Sequence, residues 1–120
     1  MRILIADDSD IVRRGVIGIL SSEEGWEVCG EAKDGSDALR KAKELLPDVI
    51  LLDISMPGMN GLEATRLLRK EIPKAKIIVI SQHETSQLLP RAVEAGADAC
   101  VDKNRLSTDL VATIKQRTGA

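Results

Sequence analysis

Aromatic side chains are nearly missing from this sequence: it has no Phe, no Tyr and a single Trp, Trp26. Its core must therefore be built from Leu, Ile, Val and Ala. Cysteine is scarce too. Cys29 and Cys100 lie in apolar, strand-like contexts with no CxxC spacing and no nearby His, which reads as two buried free thiols and not a disulfide or metal site. No excess of positive charge is present: the net charge is −2, and Lys and Arg are scattered beside acids over the predicted helices. That argues against direct nucleic-acid binding, which needs a clustered basic surface. Long apolar runs are absent as well. Met1–Ala6 is too short for a signal core or a membrane span and acids follow at once, so no membrane association and a cytoplasmic location are expected. With no Gly/Ser-rich linker, low-complexity tract or repeat, the 120 residues are expected to form one domain, 1–120.

What is there is an alternation of apolar strands and amphipathic helices. Arg2–Ala6 reads as a strand ending at Asp7-Asp8. Ser9 or Asp8 can cap the helix that follows, with Val12, Val16, Ile19 and Leu20 at helical spacing. Glu23-Glu24-Gly25 ends it. Trp26–Glu31 alternates less cleanly, as an edge strand does. Asp34 to Asp37 starts a second helix whose inner stripe is Ala38, Leu39, Ala42, Leu45 and Leu46, stopped by Pro47.

Val49-Ile50-Leu51-Leu52 is a run of branched apolar residues, the mark of a strand buried on both faces. It stops at Asp53 and turns through Pro57-Gly58 to a helix capped by Asn60 and Glu63, carrying Ala64, Leu67, Leu68 and Ile72. Ile77–Ile80 is a second such strand, ending at Ser81. A fourth helix is expected within Thr85–Ala95, with its first half unwound or kinked by Pro90. Ala99–Asp102 is a short last strand before Lys103. A terminal helix from Leu106 to about Arg117 turns Leu110, Val111 and Ile114 inward. Five strand–helix units in strict alternation imply an α/β fold, a doubly wound parallel sheet with helices on both faces. Right-handed crossovers place every strand's carboxyl end on one edge.

That edge collects Asp7, Asp8, Asp53, Ser81 and Lys103. Each has an ordinary role when taken singly: a helix-capping acid, a strand-end hydroxyl, a surface lysine. Together they sit where doubly wound sheets bind ligands. Three carboxylates repel one another unless a cation joins them, and hard oxygen donors without His or Cys select Mg²⁺ or Mn²⁺. A metal on Asp8 and Asp53, with a lysine and a hydroxyl opposite, is equipment for phosphoryl transfer. His83, the only histidine, reads as an exposed loop residue within reach of a bound water.

The Asp7-Asp8 pair, the run Leu52-Asp53-Ile54-Ser55-Met56-Pro57-Gly58-Met59-Asn60-Gly61, Ser81 after its strand, Gly96-Ala97-Asp98 and Lys103 together resemble the receiver domain of bacterial two-component response regulators. The resemblance covers essentially the whole chain. Val28-Cys29-Gly30-Glu31-Ala32, Gly61 to Arg66 and Ser81-Gln82-His83 are most similar to the NarL/FixJ (LuxR-type) subclass. The resemblance implies a flavodoxin-like (CheY-like) five-stranded sheet of order 2-1-3-4-5 flanked by five helices. It implies that Asp53 accepts a phosphoryl group from a sensor histidine kinase and that Asp7, Asp8, Asp53 and the backbone carbonyl of Ser55 hold Mg²⁺, with Mn²⁺ as a substitute. Ser81 and Lys103 would bind the phosphoryl oxygens and report their arrival. It further implies no enzyme activity beyond self-phosphorylation and self-dephosphorylation, a C-terminal DNA-binding output domain in a longer chain, and a homodimer as one mode of output.

Three residues depart from the family pattern. Cys100 replaces the switch aromatic, Gln82 fills a place of small residues, and Pro90 lies in the helix that moves. Cys100 and Pro90 favour a rival, a receiver-like interaction module that works without phosphorylation, and the complete acid–Ser–Lys set stands against it. A flavin-binding fold would need a phosphate-binding loop where Asp7 to Asp10 stand. A small Mg²⁺-dependent phosphatase would need an Asp-x-Asp motif, and a dinucleotide-binding domain its Gly-x-Gly-x-x-Gly.

Overall fold

The computed structural model describes residues 1–55, 60–82 and 85–119, and the side chains of all of these except 85–87. The elements run β1 (Arg2–Ala6), α1 (Asp10–Leu20), β2 (Glu27–Ala32), α2 (Gly35–Leu45), β3 (Val49–Asp53), α3 (Gly61–Glu71), β4 (Lys76–Ser81), α4 (Thr85–Ala95), β5 (Ala99–Asp102), a 3₁₀ turn (Lys103–Arg105) and α5 (Leu106–Thr118). The strands pair in parallel in the order β2-β1-β3-β4-β5, the sheet expected from the sequence. The expected turn at Pro57-Gly58 and His83 lie outside the described residues.

Period-two alternation along each strand sends its side chains to two cores. Leu4, Ala6, Ile50, Leu52, Ile77 and Val79 face α2, α3 and α4, where they meet Ala38, Ala42, Leu68 and Ala92. Ile3, Ile5, Val49, Leu51, Ile78, Ile80 and Val101 face α1 and α5, where they meet Val16, Leu20, Leu110 and Ile114. Small Ala residues on α2 and α4 let those helices approach the sheet closely, so a core without rings still closes.

Helix starts follow local chemistry. Ser9 caps α1 by accepting the Val12 N–H, Asp34 caps α2 through the Asp37 N–H, and Asn60 caps α3 through the Leu62 N–H.

Four expectations need correction. The edge strand β2 runs one residue later than expected, from Glu27 to Ala32, and its pairing with β1 slips between Ile3 and Leu4, so that Val28 and Gly30 face them and Cys29 is the extra residue. A bulge breaks alternation, which is why this strand was the least clean in the sequence. Leu46 is not part of the inner stripe of α2: it is the C-cap, in the left-handed region at φ 48°, and is 65% exposed. Helical structure runs from Thr85 through Pro90, the exposed central residue of α4, so the first half is not unwound. Ala92 and Ala95, buried against the sheet, hold the helix in place despite the one lost backbone bond. Cys29 and Cys100 are free thiols, but half-buried and not fully buried. Burial still pushes both above the ordinary thiol range, away from reactivity.

A leucine held at positive φ with most of its side chain in water contributes little packing and carries strain of about 1 kcal/mol. Leu46→Gly should therefore raise the unfolding free energy by up to about 1 kcal/mol, read by urea denaturation. A loss larger than 1 kcal/mol would show that Leu46 packs more than its exposure indicates.

Candidate functional site

Parallel pairing brings the strand ends together residue by residue. Ala6 lies opposite Leu52, so Asp7 and Asp53 emerge side by side from β1 and β3, and Ser81 ends β4 next to them. Strand order reverses at β1, which lies between β2 and β3 and so opens the crevice typical of such sheets. Asp7, Asp53 and Ser81 are buried, whereas Asp8 is exposed and open to solvent. One carboxylate oxygen from each of Asp7, Asp8 and Asp53 lies within 4.8 Å of the other two.

Lys103 reaches over this cluster from the turn after β5. Its Nζ is 3.2 Å from Oδ2 of Asp7 and 3.2 Å from Oδ2 of Asp53. It donates a hydrogen bond to Asp53, while its approach to Asp7 is an ionic contact without hydrogen-bond alignment. The other oxygen of Asp53 accepts the N–H and hydroxyl of Ser55 at 3.0 and 2.8 Å.

Charge is unbalanced here, since three carboxylates face one ammonium. Burial pushes the Asp7 carboxyl above the usual range; the Ser9 N–H pulls it back and the charge of Asp53 adds to the rise. The native state thus holds a proton on Asp7 more strongly than the unfolded chain does. This group costs stability above its native pKa, a cost that eases as pH falls toward the ordinary aspartate value. For Lys103, burial alone would lower the pKa, but Asp53 and Asp7 outweigh it and keep the ammonium charged.

The residues fit a hard divalent cation. Every donor is a carboxylate oxygen, and Asp7 Oδ2 is a buried oxygen with no hydrogen-bond partner among the described residues. A cleft of about 820 Å³ opens at the opposite edge among Leu46, Pro47, Ile72, Pro73 and Thr118. The three-acid cluster and its bridging lysine lie at the carboxyl edge, away from that cleft.

Asp7, Asp8, Asp53 and Lys103 are therefore brought together, with Ser81 on the same edge and Ser55 against Asp53. Gln82 is exposed. Sequence reasoning missed two contributors. Gly61 packs so closely under the turn after β3 that a Cβ there would lie 2.4 Å from the Ile54 Cα and 2.5 Å from its carbonyl oxygen. Arg13, being charged, does not register in an apolar stripe. It falls on the inner 13–16–20 spacing of α1, is only 6% exposed, and donates to the Asp7 carbonyl at 2.5 Å.

The family model for the response regulator receiver domain matches residues 3–115. The chain is a response-regulator receiver domain. Among relatives of this receiver domain, the response regulator GacA of Pseudomonas aeruginosa is 40% identical over 116 residues, 97% of this chain and 54% of that protein. The transcriptional regulatory protein LnrK of Bacillus subtilis is 37% identical over 114 residues, 95% of this chain and 52% of that one. The receiver domain thus spans about half the length of these relatives. Among solved structures, the receiver domain of NarL from Mycobacterium tuberculosis superposes with a TM-score of 0.88 at 34% identity, covering 99% of this chain and 97% of that one. The response regulator domain of Thermotoga maritima CheB gives 0.90 at 33% identity, covering 100% and 97%. Together with the LuxR-family neighbours these place the receiver domain in the NarL/FixJ-type group, whose members act as phosphoacceptor modules of two-component signalling.

The contact at Gly61 yields a prediction. Gly61→Ala must push the Ile54 backbone, and with it the Asp53–Ser55 turn, out of place. It should cost about 1–3 kcal/mol of stability in denaturant unfolding and shift the Ser55 amide resonance. An unchanged Ser55 resonance with full stability would mean that the turn does not rest on this contact.

Proposed function

We propose that Asp53 is the phosphoacceptor, and that it takes its phosphoryl group from a phosphohistidine on a sensor histidine kinase. The observation that supports this most strongly is a buried carboxylate, Asp53, held between two further acids and a bridging Lys103 on the open edge of the sheet. A carboxylate oxygen of Asp53 attacks phosphorus, the phosphorus–nitrogen bond breaks, and the imidazole leaves with the electron pair and takes up a proton. Ser55 holds the second carboxylate oxygen, fixing the direction of attack. Asp7, Asp8, Asp53 and the Ser55 carbonyl would hold Mg²⁺, or Mn²⁺ in its place. When bound, the ion supplies the charge neutralisation that lets an anionic carboxylate meet an anionic phosphoryl group.

Lys103 is placed to leave its two carboxylates for the incoming phosphoryl oxygens, with the Ser81 hydroxyl taking another. Those contacts exist only after transfer, so they bias the domain toward a second arrangement. Water returns the group to phosphate, which makes this a self-limiting switch with no external substrate to turn over. Cys100, half-buried on the α4 side of β5, offers no ring to rotate, so the signal must pass through the Ser81 and Lys103 segments themselves. Joined to a longer chain, the domain would act on a DNA-binding output domain in the cytoplasm, with a homodimer as one mode of output. No helix among the described residues is long and apolar enough to cross a membrane.

Incubation with acetyl phosphate should add one phosphoryl mass to the wild type in the presence of Mg²⁺ and none to Asp53→Asn. Equal labelling of that variant would remove Asp53 from its role, and no labelling of the wild type at saturating donor would favour the phosphorylation-independent module. Lys103→Ala should still accept the group but lose most of the phosphorylation-linked amide shifts beyond the immediate site. Shifts of wild-type size would take the reporter role away from Lys103.

A further inference from the structure

Arg13 is a buried cation that the phosphoryl-transfer scheme does not use. It lies in the inner stripe of α1 beside Val16 and Leu20, where amphipathic spacing calls for an apolar side chain. Its guanidinium makes three attachments: Nε to Glu31 on β2 at 2.9 Å, Nη2 to Asp10 at the start of α1, and Nη1 to the backbone carbonyl of Asp7 at 2.5 Å. The Glu31 contact fastens α1 to the sheet edge, and the Asp10 contact lies within α1 itself. The third lands on the peptide that joins Asp7 to Asp8.

The other polar groups of Asp7 are almost all committed. Its N–H donates to the Ala32 carbonyl at 3.0 Å, and its Oδ1 accepts the Ser9 N–H at 2.9 Å. With the carbonyl fixed by Arg13, the backbone is held on both sides of the residue. Only Oδ2 is left facing Asp53 and Lys103, and the same peptide sets the direction from which Asp8 approaches. We propose that Arg13 is a positioning residue for the acid cluster: its fork locks the Asp7–Asp8 peptide so that the two carboxylates converge with Asp53 on a divalent cation. This rests on the Mg²⁺-assisted reading of the site.

The proposal has a sign that charge alone does not share. By charge alone, removing a cation near three acids would strengthen binding of a divalent ion. Loss of a positioning group weakens it, and partners that orient metal ligands typically account for about 10- to 100-fold in affinity. The test is a Mg²⁺ titration followed by the amide resonances of Asp8 and Ser55, in wild type, Arg13→Met, Arg13→Lys and Arg69→Met. Arg69 is a fair control because it too fastens segments through its guanidinium, to the carbonyls of Gly96, Pro73 and Ala75 and to Asp98, but at the opposite edge of the sheet.

The expected result is a Mg²⁺ dissociation constant raised about 10-fold or more in Arg13→Met, and unchanged in Arg69→Met whatever its loss of stability. Arg13→Lys keeps the charge but not the fork, and carries the same expectation if Arg13→Met does not fold. Binding in the Arg13 variants as tight as wild type, or tighter, would overturn the proposal. So would equal weakening in Arg69→Met, which would mean general loosening. A wild type that shows no Mg²⁺ response at all would instead sink the underlying reading of the site, and this inference with it.

Discussion

Carboxylates are rarely buried without a partner for each, and this fold buries Asp7 and Asp53 side by side with Asp8 close above them. One ammonium, Lys103, is shared between the two buried groups. Such an arrangement is costly in the resting chain, because like charges are held together where solvent cannot screen them. Stability surrendered at a working site is the ordinary trade between function and folding. The rest of the molecule supplies the rigidity that keeps the acids from moving apart.

That rigidity comes from the two-sided packing of the central strands. β1 and β3 are sealed on both faces by helices, so neither Asp7 nor Asp53 can retreat along its strand without moving a core. The turn after β3 is seated on Gly61, the turn after β1 is fastened by Arg13, and the turn after β5 delivers Lys103. Each of these three turns thus carries one contact that ties it to the site. Membership in the response-regulator receiver family gives the edge its context.

Much of this was legible in the sequence for a simple reason: apolar runs that end abruptly on a charge are easily seen, and strict strand–helix alternation leaves few topologies. Asp53 after Val49–Leu52, and Asp7 after Arg2–Ala6, could be placed on one edge by counting elements. What escaped depended on tertiary geometry. The bulge at Cys29 weakens the alternation of β2, and on a half-exposed edge so weak a pattern does not fix where the strand begins. Leu46 follows the helical spacing of α2, but its own left-handed backbone ends the helix and turns its side chain outward. Pro90 was read by its local penalty, which packing of Ala92 and Ala95 overrides. Arg13 sat at an inner position, but its charge hid it from a search for apolar spacing.

The proposed role of a divalent cation is to relieve the repulsion within the acid cluster. The most direct measurement is the unfolding free energy of wild type and Asp53→Asn, each in chelator and in saturating Mg²⁺. In chelator the variant should be the more stable of the two, by on the order of 1 kcal/mol, because one buried like charge is gone. Mg²⁺ should then stabilise the wild type and leave the variant nearly unmoved, closing or reversing the gap. A variant less stable than wild type in chelator, with Mg²⁺ shifting neither, would show that Lys103 and Ser55 already balance the cluster and that no cation is called for.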